Sequence, residues 1–287
     1  MGSSVEYHRP GSLSEACDLL HTLGADAVPL AGGTDVIVEL RRGPKRPSHL
    51  VSLADLNELR EIALENGKLR IGALVTPAQM EASKDVLSSR PELMDVVGVF
   101  GTPQVRNRAT VGGNLCTAAS CGDMAPLLMV LGARVVVATP EGARDLSMEE
   151  FFGDHRRTVL EPGHILSEVI VPARVPGEGA AYRAFGLRAT NFITVAGAAA
   201  YLKVDGARCT EARLALGAVA PTPFLVPGAA QVLVGTDLRD KDLANVGLAA
   251  GAAATPISDV RGSAEHRREL VIRLCVRALR AARERAQ

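Results

Sequence analysis

A chain of 287 residues can bury a substantial core, as one large domain or as two to three smaller ones. With 32 Lys and Arg against 32 Asp and Glu it has no net field to gather nucleic acid or an anionic membrane, and three Tyr, six Phe and no Trp leave few faces for stacking single-stranded bases. Met1 to Ala16 has no apolar signal core and no later run approaches the roughly 20 apolar residues that span a bilayer, so a soluble, cytoplasmic protein is expected.

The first element announced is a helix. Ser12-Leu13-Ser14-Glu15 fits a capping box, and Leu13, Ala16, Leu20 and Leu23 then fall on one face until Gly24 ends the run. Ala27 to Leu30 reads as a strand broken by Ala31-Gly32-Gly33-Thr34, after which Asp35 can cap a helix carrying Val36, Ile37 and Leu40 up to Gly43. Strands follow at His49 to Leu53 and Lys68 to Ile71, and Thr76-Pro77-Ala78-Gln79 combines a cap, a first-turn proline and a return acceptor. A second glycine loop, Thr110 to Leu115, precedes Gly122-Asp123 and a short helix through Leu131. Gly132 closes that helix, and Arg134 to Ala138 forms a strand turning at Pro140-Glu141-Gly142.

Val175-Pro176-Gly177-Glu178-Gly179 is the best candidate linker. Beyond it, Thr194 to Val204 and Arg208 to Leu216 flank Asp205-Gly206, a hairpin signal. Gly247 to Ala254, rich in Ala and Gly, suits a helix packed at close approach, and Leu270, Leu274 and Ala278 repeat at the spacing of a C-terminal amphipathic helix.

Five cysteines (Cys17, Cys116, Cys121, Cys209, Cys275) include no C-x-x-C pair and read as free thiols, so neither structural zinc nor an iron–sulfur cluster is expected in this chain. The chemistry instead points to the two glycine segments. Each has a Gly-Gly pair beside small or hydroxyl side chains, which lets backbone N–H groups converge on an oxyanion without Cβ atoms in the way; a plain tight turn is the alternative for either alone. Neither fits G-x-G-x-x-G or the G-x-x-x-x-G-K-[ST] loop, so a nucleotide bound here implies a fold that is neither Rossmann nor P-loop. With no Lys or Arg in either segment, phosphate charge would be met chiefly by amides. Asp35 and Asp123 would cap helices or accept hydrogen bonds from sugar or ribityl hydroxyls.

These residues resemble the medium, FAD-binding subunits of the carbon monoxide dehydrogenase, xanthine dehydrogenase and aldehyde oxidase group. The resemblance begins at Tyr7-His8-Arg9-Pro10, continues through Leu30 to Asp35, is densest from Thr102 to Asn114, and extends through Gly122 to Pro126 and Asp259 to Arg268. It implies an α+β chain with a p-cresol methylhydroxylase/vanillyl-alcohol oxidase-type FAD-binding fold. Its divisions would be 1–56 and 57–174, one glycine segment each, then a C-terminal domain, 175–287, of antiparallel sheet plus helices. Family members wrap the FAD diphosphate with both segments, which carries over to Leu30, Ala31, Gly32, Gly33, Thr34, Asp35 and Val36, and to Thr110, Val111, Gly112, Gly113 and Asn114. Phe100, Asp123, Leu166 and Arg183 fall where the family contacts the adenine side, the flavin or its chain, and Phe192 falls near the isoalloxazine or serves as an ordinary core aromatic.

The resemblance further implies non-covalent FAD, since the six histidines lie outside both segments, and no catalytic residue or metal in this chain. Molybdopterin cofactor and [2Fe–2S] clusters belong to a large and a small partner subunit, in a dimer of heterotrimers delivering electrons to NAD+, oxygen or a quinone-like acceptor. Thr34-Asp35 after the first Gly-Gly, with Asn114 to Ala118, is closer to the xanthine or aldehyde branch than to the carbon monoxide branch. A self-sufficient FAD-dependent reductase or oxidase, or a cofactor-free structural subunit, are the competing readings.

Overall fold

The computed structural model describes residues 5–42 and 47–287. Three sheets follow one another along the chain. The first is parallel and three-stranded, ordered Glu6–His8, His49–Ser52, Ala27–Leu30. The expected helix before it forms as Leu13–Leu23, with Ser12 Oγ accepting the Glu15 N–H; Glu15 returns to the Gly11 amide rather than to Ser12, so only half of the capping box closes. Leu20, Ala16 and Cys17 pack onto Val51 and Leu53, and this small core leans on Leu59, Leu74 and Ile165 of the next unit. The second predicted helix is Val36–Arg42; its expected stop at Gly43 lies outside the described residues.

The second sheet is antiparallel with five strands, ordered Ile62–Glu65, Lys68–Gly72, Ile165–Pro172, Arg134–Thr139, Gly142–Ser147. Its central strand arrives last in sequence, and a bulge at Ser167 breaks its register just after Ile165 and Leu166. Thr76 does form the full capping box expected of it, starting Pro77–Ala82. A small hairpin, Phe152–Asp154 with Arg157–Thr158, was not anticipated by any turn motif.

The third sheet runs Glu178–Phe185, Ala196–Asp205, Arg208–Gly217, Phe224–Leu225, with Gly206 at φ 58° in the predicted hairpin turn. Ala196–Asp205 is buried on both faces as far as Leu202, which explains the run of small apolar residues at its start. Ala199 and Tyr201 face the five-stranded unit, while Ala198, Ala200 and Leu202 face the helices Asp240–Ala253 and Ala264–Ala286. Gly179 brings the last helix onto the sheet: a Cβ there would stand 2.0 Å from Ala282 O. The expected linker shrinks accordingly, because Glu178 is buried, receives Arg90 and accepts the Val175 N–H.

Candidate functional site

A cleft of about 850 Å³ opens between the first glycine segment and the five-stranded unit. After Leu30 the chain turns through Ala31 to Asp35 with Gly33 at φ 76°, a backbone state that disfavours any Cβ. Gly32 is required for another reason: its Cβ would lie 1.9 Å from Arg108 O, so the absence of a side chain lets this turn close against the backbone of the second segment. Among the hydrogen bonds of the described residues, none is donated by the backbone N–H of Gly32, Gly33, Thr34 or Asp35. Four such donors in one turn at a cleft wall suit an anionic ligand.

The second segment differs from the expected loop. Val111–Thr117 is a helix capped by Thr110. The Val111 and Gly112 amides donate to Val75 O and Ala73 O, those of Gly113 and Asn114 to Thr110 Oγ1 and O. Each amide is therefore satisfied within the protein, and Gly113 has no positive φ. What this segment offers is room and a side chain. A Cβ on Gly113 would meet only Thr110 Oγ1, at 2.8 Å, and Asn114 Oδ1 is buried with no hydrogen-bond partner. An orphaned buried acceptor costs about 1–3 kcal/mol, which a ligand hydroxyl or N–H would recover.

Of the residues singled out in the sequence, Ala31, Gly32, Gly33, Thr34, Asp35, Val36, Phe100, Thr110, Gly112, Gly113, Asn114 and Leu166 line this cleft. Leu30 lies beneath Gly33, and Val111 is core. Asp123 and Arg183 are not brought to its walls. Asp123 accepts hydrogen bonds from Tyr182 Oη (2.7 Å) and Thr194 Oγ1 (2.6 Å); burial raises its carboxyl above the usual range although both bonds favour the charged form. Arg183 is engaged by Asp95 at 2.9 Å, and Phe192 packs over Gly186.

The structure adds side chains that no motif marked. Arg156, at φ 55° in the small hairpin, lines the cleft, pairs with Glu39 and donates its own amide to Ala118 O, so a cation is present after all. Burial raises the Asp35 carboxyl and Glu39 adds to the shift, while Arg156 opposes them. His164, which sequence position placed apart from both glycine segments, also reaches the wall, its Nδ1 accepting the Glu161 N–H. Cys116 does too, but burial pushes its thiol up to about 12, so it is no thiolate nucleophile. All five cysteines are free. The remaining walls, Phe100, Val105, Leu74, Ile165 and Leu166, are apolar and suit a planar ring.

An amide-rich turn facing an apolar cleft across a helix with an orphaned carboxamide suits a ligand that joins an anionic group to a planar ring, and comparison with known proteins supplies the class, an FAD-binding flavoprotein. Residues 3–174 match the FAD binding domain in molybdopterin dehydrogenase, and residues 168–282 match the CO dehydrogenase flavoprotein C-terminal domain. The chain therefore belongs to the family of FAD-binding subunits of molybdopterin dehydrogenases. It is 34% identical to the carbon monoxide dehydrogenase medium chain of Afipia carboxidovorans over 99% of this chain and 98% of that one. Identity to the xanthine dehydrogenase FAD-binding subunit of Escherichia coli O157:H7 is 33%, over 93% and 92%. In structure it resembles carbon monoxide dehydrogenase from Hydrogenophaga pseudoflava, with TM-score 0.96, 32% identity and 99% of both chains covered. The carbon monoxide and xanthine branches thus stand at nearly equal distance, whatever Thr34-Asp35 suggests. No helix among the described residues is long and apolar enough to cross a membrane.

Proposed function

We propose that this chain is the electron-carrying FAD subunit of a heteromeric molybdenum hydroxylase. Its units would divide at 1–56, 57–174 and 175–287, the first two forming a p-cresol methylhydroxylase-type FAD fold. Substrate would be oxidised at a molybdenum cofactor in a large partner subunit, with electrons crossing [2Fe–2S] clusters of a small partner before reaching this chain. The observation that carries the reading is the pairing of the Gly32 to Asp35 amides, which donate to no acceptor among the described residues, with the orphaned Asn114 Oδ1 across one cleft.

When bound, FAD supplies the capacity to take electrons singly and release them as a pair. The protein's part is to hold and screen it. The Gly32–Asp35 amides would donate to the diphosphate oxygens, Arg156 would lend positive charge, and Asn114 Oδ1 would accept a hydrogen bond from the cofactor. Phe100, Leu166 and Ile165 would exclude water from a ring. Glu39 pairs with Arg156, and Asp35, which phosphate charge would repel, would accept hydrogen bonds from sugar hydroxyls. Asp123 and Arg183, outside these walls, would act on whatever part of the cofactor extends beyond them.

The test is to purify the chain alone and together with its co-purifying subunits. Expected are one FAD per chain, released intact by denaturation, and no organic oxidation until the partners are present, when substrate bleaches the flavin. Turnover of a small molecule with NADPH or oxygen by the isolated chain, or a colourless protein, would overturn the proposal.

A further inference from the structure

Away from the cleft, the edge of the parallel sheet gathers Glu6, His8 and His49. Strand pairing is the cause. Glu6 lies opposite His49 in the parallel ladder, paired residues share a face, and His8, two positions beyond Glu6, returns to that face. His8 Nε2 and His49 Nδ1 stand 3.0 Å apart, while Glu6 Oε2 stands 3.4 Å from His49 Nδ1 and Glu6 Oε1 3.9 Å from His8 Nε2. The histidine side chains are 20% and 23% exposed and the glutamate 66%, so one side of the triangle is open to solvent.

Zinc bonds to imidazole and carboxylate of about 2.0–2.2 Å place tetrahedral ligands about 3.3 Å apart. The His8–His49 and His49–Glu6 separations lie within a few tenths of an ångström of that edge, and turning the Glu6 side chain would bring one oxygen toward both nitrogens. We propose that Glu6, His8 and His49 form a site for a late first-row divalent ion, Zn2+ or a close relative, with water completing its coordination. Two nitrogens and one carboxylate favour such ions over Mg2+ or Ca2+, which take oxygen shells. Binding asks each neutral imidazole to carry its proton on the far nitrogen, Nδ1 of His8 and Nε2 of His49, so that the ion replaces the single hydrogen the two rings otherwise share.

None of the three residues lines the cleft, so the ion's role is separate from the flavin. It would fasten a three-residue edge strand, Glu6–His8, to its neighbour across a separation of 41 residues between the histidines. Short edge strands are otherwise held by few ladder bonds.

The experiment is calorimetric titration of Zn2+ into the full chain, made without a polyhistidine tag and stripped with chelator, alongside His8→Gln, His49→Gln and Glu6→Gln. Expected are one ion per chain, a rise in Tm on binding, and at least tenfold weaker binding in each histidine variant with no Zn2+-dependent rise in Tm. Glu6→Gln should show a smaller loss. Circular dichroism matching the parent shows that the variants are folded. Parent protein that binds no Zn2+, or histidine variants that bind it as tightly as the parent, would overturn the site.

Discussion

Gly32 and Gly113 serve the cleft by different means, and their substitutions should separate. At Gly32 an added methyl collides with the Arg108 carbonyl and no rotamer relieves it, so Gly32→Ala should cost about 3 kcal/mol of stability, read as a lowered denaturation midpoint. At Gly113 the backbone is helical and the added atom meets one hydroxyl. Gly113→Val should therefore fold, with a loss of about 1 kcal/mol from crowding the Thr110 cap, yet retain little flavin because its methyls would enter the cleft. The visible absorbance of the purified variant decides it; full flavin content would refute the role given to this face. Both glycine pairs were legible from sequence as segments free of side chains, with amides expected to converge on an oxyanion. That Gly112 spends its amide on Ala73 was not, because that partner comes from tertiary packing, whereas Gly113 spends its own on the local cap hydroxyl of Thr110.

Among elements, the short helix Met94–Val97 shows how the units are joined. Asp95 accepts two bonds from Arg285 (2.8 Å each), one from Arg183 and one from the Tyr182 amide, linking this helix to the first strand of the C-terminal sheet and to the last helix. Burial works against its charge, but the Arg285 bonds, the Tyr182 amide and the two guanidinium charges outweigh it and hold the carboxyl below the usual range. A depressed folded-state pKa contributes stability that is present above the unfolded carboxylate value of about 4 and is lost as pH falls through the folded value. Asp95→Asn should accordingly destabilise the protein by about 2 kcal/mol at neutral pH, with partial exposure limiting the loss. Its denaturant midpoint should converge on that of the parent as pH drops below 4. A difference independent of pH would show that shape, not charge, sets the contribution of Asp95. Caps and periodicity marked the helices that begin at Leu13, Pro77 and Ala264 because those signals are local. The strand Ile165–Pro172 was missed since it is central, buried and recruited from far along the chain, and Arg267 was missed as a buried residue because its carbonyl partners, Val195 and Ala218, lie at the ends of distant strands.

Across the whole molecule, the two larger units share one core, with Tyr182, Ala199 and Tyr201 packed among the residues of the five-stranded sheet. The first unit has a smaller core and meets the second chiefly through Leu59, Leu74 and Ile165. A ligand held between Gly32–Asp35 and Asn114 would bridge that junction. Hydrogen exchange of the flavin-free protein should thus be fastest in the strands Glu6–His8, Ala27–Leu30 and His49–Ser52, and FAD should slow exchange there more than in the C-terminal sheet. Uniform protection on FAD addition would argue against a bridging position.

Residue types and local spacing sufficed to announce the capped helices, the Asp205-Gly206 hairpin, the two glycine pairs and the family to which the chain belongs, since each depends on neighbours a few positions away or on a contiguous motif. The arrival of Arg156 and His164 at the cleft, the capture of the Val111 and Gly112 amides by Val75 and Ala73, and the meeting of Glu6, His8 and His49 arose from folding alone. They depend on strand order and on contacts between residues tens of positions apart, and no periodicity along a single strand or helix encodes which distant segment will lie beside it.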